Sequence, residues 1–290
     1  MKVVVAGEVD GEEPTIRGIK VAIKKIFDDD APDGFNFRLV RSDFLTSDDA
    51  YTTPRHHHVF QQIRWAEVGT LNYAPGQDLH EGDVAYFPRA AYYGPQLKDS
   101  GISIAVQFGL NGECQYGGER NKRQRAEAAE RLKVRGTTEG GIYTDVDPES
   151  GSARVRDSVQ AIDEEQYETA TGKKFTFPAA GYEGAIVMHP KAFDYYEVSP
   201  GVELKPLGNF FDHPGANGDV RISMARLSNG GAFTFVEDRA QIAWAKSAGL
   251  TVDGSAHPEL TFLYIPRGES STVSADGEVE INVVEFPRLD

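Results

Sequence analysis

One cysteine, Cys114, stands in 290 residues, so no internal disulfide is possible and nothing calls for an oxidising compartment. Long apolar runs are missing too. No stretch approaches the roughly 20 apolar residues of a membrane span. The amino end has only four apolar residues in a row after its lysine, too few for a secretory core. Positive charge is in deficit: 30 Lys and Arg face 45 Asp and Glu, a net charge of −15. That balance repels phosphate backbones and anionic membrane surfaces. The phosphate-loop spacing is absent as well, because "GLNGECQYGG" lacks the strand-to-helix arrangement of glycines. These absences argue against nucleic acid and membrane and leave a cytoplasmic protein whose partner is a small molecule.

What is present is punctuation. Thirty glycines and fifteen prolines break the chain into short runs such as "NFRLV", "DVAYFP", "SIAVQF", "VRISMARL" and "LTFLYIP". Runs of that length, β-branched or aromatic and bounded by Gly, Pro, Asp or Asn, predict strands of a sandwich or barrel. Helix formers concentrate in the middle, at 119–134, ending at Gly136, and at 158–172, where Ser158 offers a start and Gly172 a stop. The segment between them, "GTTEGGIYTDVDPESGS", reads as an exposed linker. A β-rich half on each side of a mixed connector gives the expected division: 1–118, 119–180 and 181–290.

The two halves resemble each other. "HHHVFQQIRWAEVG" (56–69) matches "FVEDRAQIAWAKSAG" (235–249) through Gln-Ile-x-Trp-Ala, and "YFPRAA" (86–91) matches "YIPRGE" (264–269), at offsets of 179 and 178. The only two tryptophans, Trp65 and Trp244, fall on equivalent positions. One large aromatic per half is the signature of a core anchor used twice.

Three histidines in a row, His56, His57 and His58, precede that repeat. On a strand, side chains alternate faces, so His56 and His58 project together with Phe60, Gln62 and Arg64, and His57 projects to the other side. Two imidazoles at i and i+2 form a two-point clamp for a transition metal. The same pair also serves as hydrogen-bonded core histidines or as a polar surface cluster.

The spacing around the pair resembles the cupin superfamily, and specifically a two-barrel bicupin. The first cupin motif runs His-x-His, three or four residues, Glu, six residues, Gly; here it is His56-x-His58, three residues, Gln62, six residues, Gly69. The second runs Gly, five residues, Pro-x-Gly, two residues, His, three residues, Asn; here it is Gly82, five residues, Pro88-x-Ala90, two residues, Tyr93, three residues, Leu97. The resemblance covers roughly 35–110 and 184–288. It implies an all-β protein: two jelly-roll (double-stranded β-helix) barrels joined by a partly helical connector. It also implies one divalent transition metal in the amino-terminal barrel, Fe, Zn, Cu, Mn or Ni, held by His56 and His58 with Gln62 and Tyr93.

Two ligand positions depart from the pattern, since Gln62 replaces a carboxylate and Tyr93 replaces an imidazole. A Tyr93 phenolate would restore the lost charge. In the second copy the matching residues are Phe235, Glu237, Gln241 and Ser271, a set that leaves the carboxyl-terminal barrel without metal. Among the chemistries the resemblance offers, dioxygenase-type oxidation is the most populated, followed by isomerase, lyase and decarboxylase reactions. A metal-free binding module is the rival from another class. Tyr93 and Arg64 are the candidate catalytic residues, and Arg64, Tyr73, Tyr86, Tyr92, Gln96 and Gln107 are the candidate substrate contacts. Barrel faces and sheet edges make a homodimer a reasonable assembly.

Three further features carry no chemistry in this reading. Residues 119–135 hold seven Lys or Arg against three Glu and read as a solvated helix paired to acidic patches. Asp212 and His213 precede a Pro, Gly and Asn cluster, which reads as a turn. Cys114 has no neighbour that would activate it.

Overall fold

A computed structural model describes residues 1–17, 19–30, 35–44, 53–97, 101–110, 118–211 and 219–288. Cys114, Asp212 and His213 lie outside those residues. The chain divides into two compact units, Gly11–Val187 and Met1–Asp10 together with Met188–Asp290. No helix among the described residues is long and apolar enough to cross a membrane.

In the first unit the principal sheet orders its strands Ile186–Met188, Val84–Phe87, Gln61–Val68, Ile102–Leu110, Phe35–Asp43, Ala22–Asp30 and Gly11–Glu12. In the second the order is Lys2–Val5, Thr261–Ile265, Gln241–Ala245, Val279–Glu285, Val220–Leu227, Val202–Phe210 and Tyr196–Ser199. The sequence repeat is a repeat of register. Ile63 pairs with Tyr86 as Ile242 pairs with Tyr264, and Gln107 stands opposite Gln62 as Glu285 stands opposite Gln241.

Backbone hydrogen bonds repeat too. His56 N–H donates to the Tyr93 carbonyl, and Phe235 N–H to that of Ser271; Ala90 N–H donates to His58, and Gly268 N–H to Glu237. Ala90 and Gly268 share the left-handed region, with φ of 61° and 86°. A turn conformation that favours glycine is therefore occupied by alanine in the first copy. Trp65 and Trp244 are both buried.

The helices Gly118–Arg135 and Ser158–Thr171 lie where helix formers predict them. The second is capped one residue earlier than Ser158: the Asp157 carboxylate accepts from the Val159 and Gln160 amides, and Gly172 closes the far end at φ 67°. The basic helix finds its acidic partners in the same chain, Arg131 and Arg135 on Glu165 and Arg125 on Asp163.

The segment read as an exposed linker is an antiparallel sheet of Gly136–Glu139, Ile142–Val146 and Ala153–Asp157. Gly140 and Gly141, both at positive φ, make its first turn. Tyr143 is buried with its hydroxyl donating to the Leu132 carbonyl, and the buried Asp145 carboxylate is gripped by Arg154 and Arg156. Gly, Asp and Ser are frequent there and suggest turns, while the inward alternation of Tyr143 and Asp145 sets the structure.

Candidate functional site

Period two along four strands builds the floor of a cavity of about 490 Å³ in the first unit. Ile23 and Lys25, Arg38, Val40 and Ser42, Gln62 and Arg64, and Ser103, Ala105 and Gln107 all face it. Strand register arranges them in rows. Gln62, Gln107 and Arg38 form one; Arg64, Ala105, Val40 and Lys25 the next; Ser103, Ser42 and Ile23 a third. The middle of this floor carries small side chains, Ala105, Ser103 and Ser42, which is why space remains above it.

The histidine triplet does not lie on a regular strand. It approaches the barrel as an irregular segment, joined to the facing chain by the bridge between His56 and Tyr93 and by the Ala90 N–H to the His58 carbonyl, and the strand proper begins at Gln61. The alternation of faces survives. His56 and His58 both line the cavity, with ring centroids 5.1 Å apart. His57 points elsewhere, stacked between Tyr92 at 3.9 Å and Phe177 at 3.4 Å, its Nδ1 donating to the Ala90 carbonyl.

His56 Nδ1 donates to the Pro54 carbonyl at 2.8 Å, which leaves the lone pair on Nε2. Burial first, and then the Arg17 charge, push the His56 imidazole down to about 4. Burial, reinforced by His56 and Arg17, holds His58 well below the ordinary histidine range. Both rings are therefore neutral near pH 7, the state a metal ligand needs. Tyr93 Oη stands 2.9 Å from His58 Nε2. That separation is an ordinary hydrogen bond, and an imidazole nitrogen and a phenol oxygen are both donor types that a transition metal would accept.

Gln62 Oε1 accepts from Gln107 Nε2 at 2.8 Å, while Gln62 Nε2 is buried without a hydrogen-bond partner. Exchanging the two amide ends on both residues preserves their bond and places a carbonyl oxygen where that nitrogen sits. The donor chemistry of His56, His58, Tyr93 and Gln62 thus fits a borderline transition metal. It includes no carboxylate: among the described residues no cluster of three or more His, Cys, Asp or Glu occurs.

Of the remaining predicted contacts, Arg64, Gln96 and Gln107 line the cavity. Three tyrosines do not. Tyr86 is buried on the opposite face of its strand, its hydroxyl donating to Gln61 Oε1 at 2.6 Å. Tyr73 packs edge-on to Phe87 at 6.0 Å, and the half-exposed Tyr92 is covered by Arg55 at 4.4 Å. An aromatic on a strand fills core or rim as readily as a pocket, and the register that pairs Tyr86 with Ile63 and Phe87 with Gln62 turns Tyr86 away from the cavity. Sequence reading missed the cationic part of the lining, Arg17, Lys25, Arg38, Lys122 and Arg125. The alternation Arg38, Val40, Ser42 was the available signal for Arg38.

At the matching position of the second unit, Phe235 is buried among apolar neighbours that include Ala243, Leu263, Val273 and Val283. Glu237 is exposed, and Gln241 Nε2 donates to the Val236 carbonyl at 2.6 Å.

No protein-family model matches the chain, and no curated protein matches it at a significant level. Solved structures do. A candidate dioxygenase of Nostoc punctiforme is 10% identical with a TM-score of 0.60, over 99% of this chain and 83% of that one. HEPD of Streptomyces albus, solved with 2-hydroxyethylphosphonate and Fe(II) bound, is 10% identical with a TM-score of 0.54, over 99% and 76%. The Bacillus subtilis oxalate decarboxylase, a protein with Mn(II) centres, is 12% identical with a TM-score of 0.52, over 100% and 78%. These are cupin-fold proteins, and the likeness shows the fold: this chain is all-β, with a cupin-type barrel in each unit.

Proposed function

We propose that the amino-terminal barrel is the active site of a metal-dependent enzyme for a small oxygenated or aromatic substrate, with dioxygenase-type oxidation as its reaction and dioxygen as co-substrate. One observation carries the reading: His56, His58 and Tyr93 bring donor atoms together inside a cavity sized for an organic ligand. His56, His58 and Tyr93 would hold the metal, with Gln62 as a neutral fourth donor. A transition metal there supplies Lewis acidity or electron exchange with dioxygen.

The protein's own share is positioning and exclusion of water. The Pro54 carbonyl fixes the His56 tautomer. Arg64 presents a planar fork suited to a carboxylate or enolate. Val21, Ile23 and Phe44 form an apolar wall that lowers the local dielectric around the reacting groups. Likeness to metal-dependent enzymes of the same fold raises the reading, and by itself fixes no reaction.

A metal-free binding barrel is the second reading. It is favoured by Gln62 in place of a charged ligand and by the Tyr93 hydroxyl, which satisfies His58 without any ion. Elemental analysis of untagged protein discriminates the two. The enzyme reading expects close to one transition metal per chain, lost in a His56→Ala, His58→Ala double variant. Folded wild-type protein that takes up no metal, or a double variant that keeps it, contradicts that reading.

A further inference from the structure

Alternation of faces gives the histidine segment an inner and an outer side. Residues 56–58 meet residues 90–93 in antiparallel sense, with His56 N–H donating to the Tyr93 carbonyl and Tyr93 N–H to that of His56, both at 3.0 Å. On the inner side His58 Nε2 meets Tyr93 Oη at 2.9 Å. On the outer side the neighbouring pair meets as well. The buried His57 ring lies 3.9 Å from that of Tyr92 and 3.4 Å from that of Phe177, inclined by 16° and 25°. Stacking on both faces fixes the plane of the imidazole, and its Nδ1 donates to the Ala90 carbonyl at 3.0 Å. Ala90 in turn donates its N–H to the His58 carbonyl at 2.7 Å. A closed circuit thus runs from the His57 side chain, through Ala90, to the backbone of the next residue.

In the second barrel the same turn forms without that circuit. Gly268 N–H donates to the Glu237 carbonyl at 2.8 Å, yet the repeat offsets place Val236, 40% exposed, at the position of His57 and the exposed Ser270 at that of Tyr92. Glycine accepts left-handed backbone without strain, and alanine does not. Ala90 holds φ 61° where the second copy has glycine, so the first barrel needs a hold on this turn that the second does not. His57 supplies it from outside the cavity lining. Outer stack and inner donors occur together in one barrel, and the other has neither.

We propose that His57 is a positioning residue: it fixes the Ala90 turn, and through it the His58 backbone and ring, for whatever binds in the cavity. The proposal rests on the proposed function only for the use to which His58 is put. The clamp itself belongs to the metal-free chain.

Two readouts on the full chain test it, and one needs no metal. In metal-free protein, native-state hydrogen exchange of the amide at position 90 loses about 10-fold in protection in His57→Phe, which keeps a stacking ring and loses the Nδ1 donor. The Gly268 amide is unchanged. In protein titrated with Co(II), the same variant weakens binding by about 10-fold and alters the visible bands of the ion, because the His58 ring is no longer held. His57→Asn, whose amide nitrogen reaches the same carbonyl, brings both readouts back toward wild type. So does Ala90→Gly added to His57→Val, the residue pair with which the second barrel folds. If His57→Phe fails to fold, His57→Val with and without Ala90→Gly carries the comparison. Unchanged protection at position 90, Co(II) binding that is indifferent to these substitutions, or a His57→Val defect that Ala90→Gly leaves untouched overturns the proposal. Wild-type protein that takes up no Co(II) removes the metal reading instead, and the exchange measurement then decides the clamp alone.

Discussion

The two barrels share strand order, register and even the turn at Ala90 and Gly268, yet one encloses a polar cavity and the other a packed apolar interior. The difference comes from a few positions on one sheet face. Register equates Arg64 with Ala243, Ala105 with Val283, Ser103 with Ile281 and Ser42 with Ala225. Where the first barrel keeps a charge and small side chains, the second fills its lumen with Val283 and Ile281, both essentially inaccessible. His56 becomes Phe235 at the same hydrogen-bonded bridge. One strand order and register thus carries two different interiors, set by side-chain volume and polarity.

The comparison can be broken most severely at its shared anchor. Trp244→Ala removes the largest fully buried side chain among the described residues and is expected to cost about 3–5 kcal/mol by denaturant unfolding. A loss below about 1 kcal/mol would show that Trp244 is no anchor. Next in size is a graft. Ser103→Ile with Ala105→Val gives the first barrel the filling of the second, and should remove most of the cavity of about 490 Å³. A crystal structure checks this, and a folded graft whose cavity keeps its volume would show that other residues hold it open.

Smaller still is Tyr93→Phe. It removes one hydrogen bond to His58, worth about 1 kcal/mol of stability, and in Fe(III)- or Cu(II)-loaded protein it should abolish a visible phenolate charge-transfer band. A band that survives assigns it to another residue. The smallest effects belong to the shared turn. Gly268→Ala should cost about 1 kcal/mol or less, and Ala90→Gly should gain a comparable fraction, because both positions hold left-handed backbone. Thermal unfolding measures both, and a loss of several kcal/mol in either would mean the turns are not equivalent.

Much of this contrast is legible in the sequence. The repeat at offsets of 179 and 178 anticipates the register, because Gln-Ile-x-Trp-Ala fixes which residues face inward. His56 and His58 are legible as a pair because alternation of faces survives even where the segment is not a regular strand. The cationic lining was hidden for a different reason. Arg17, Lys122 and Arg125 reach the cavity from a hairpin and a helix far away in the chain, and local spacing says nothing about tertiary convergence. Tyr73, Tyr86 and Tyr92 were overcounted because aromatic identity does not reveal which face a strand presents. Between the helices, the density of Gly, Asp and Ser masked a three-stranded sheet whose inward residues are Tyr143 and Asp145.

Anomalous diffraction from crystals equilibrated with Mn(II) or Zn(II) addresses the central contrast between the barrels directly. The account predicts one strong peak per chain, within bonding distance of the His56 and His58 imidazoles, and none beside Phe235 and Gln241. A peak in the second barrel, or metal-free rings turned away from the first cavity, would contradict it.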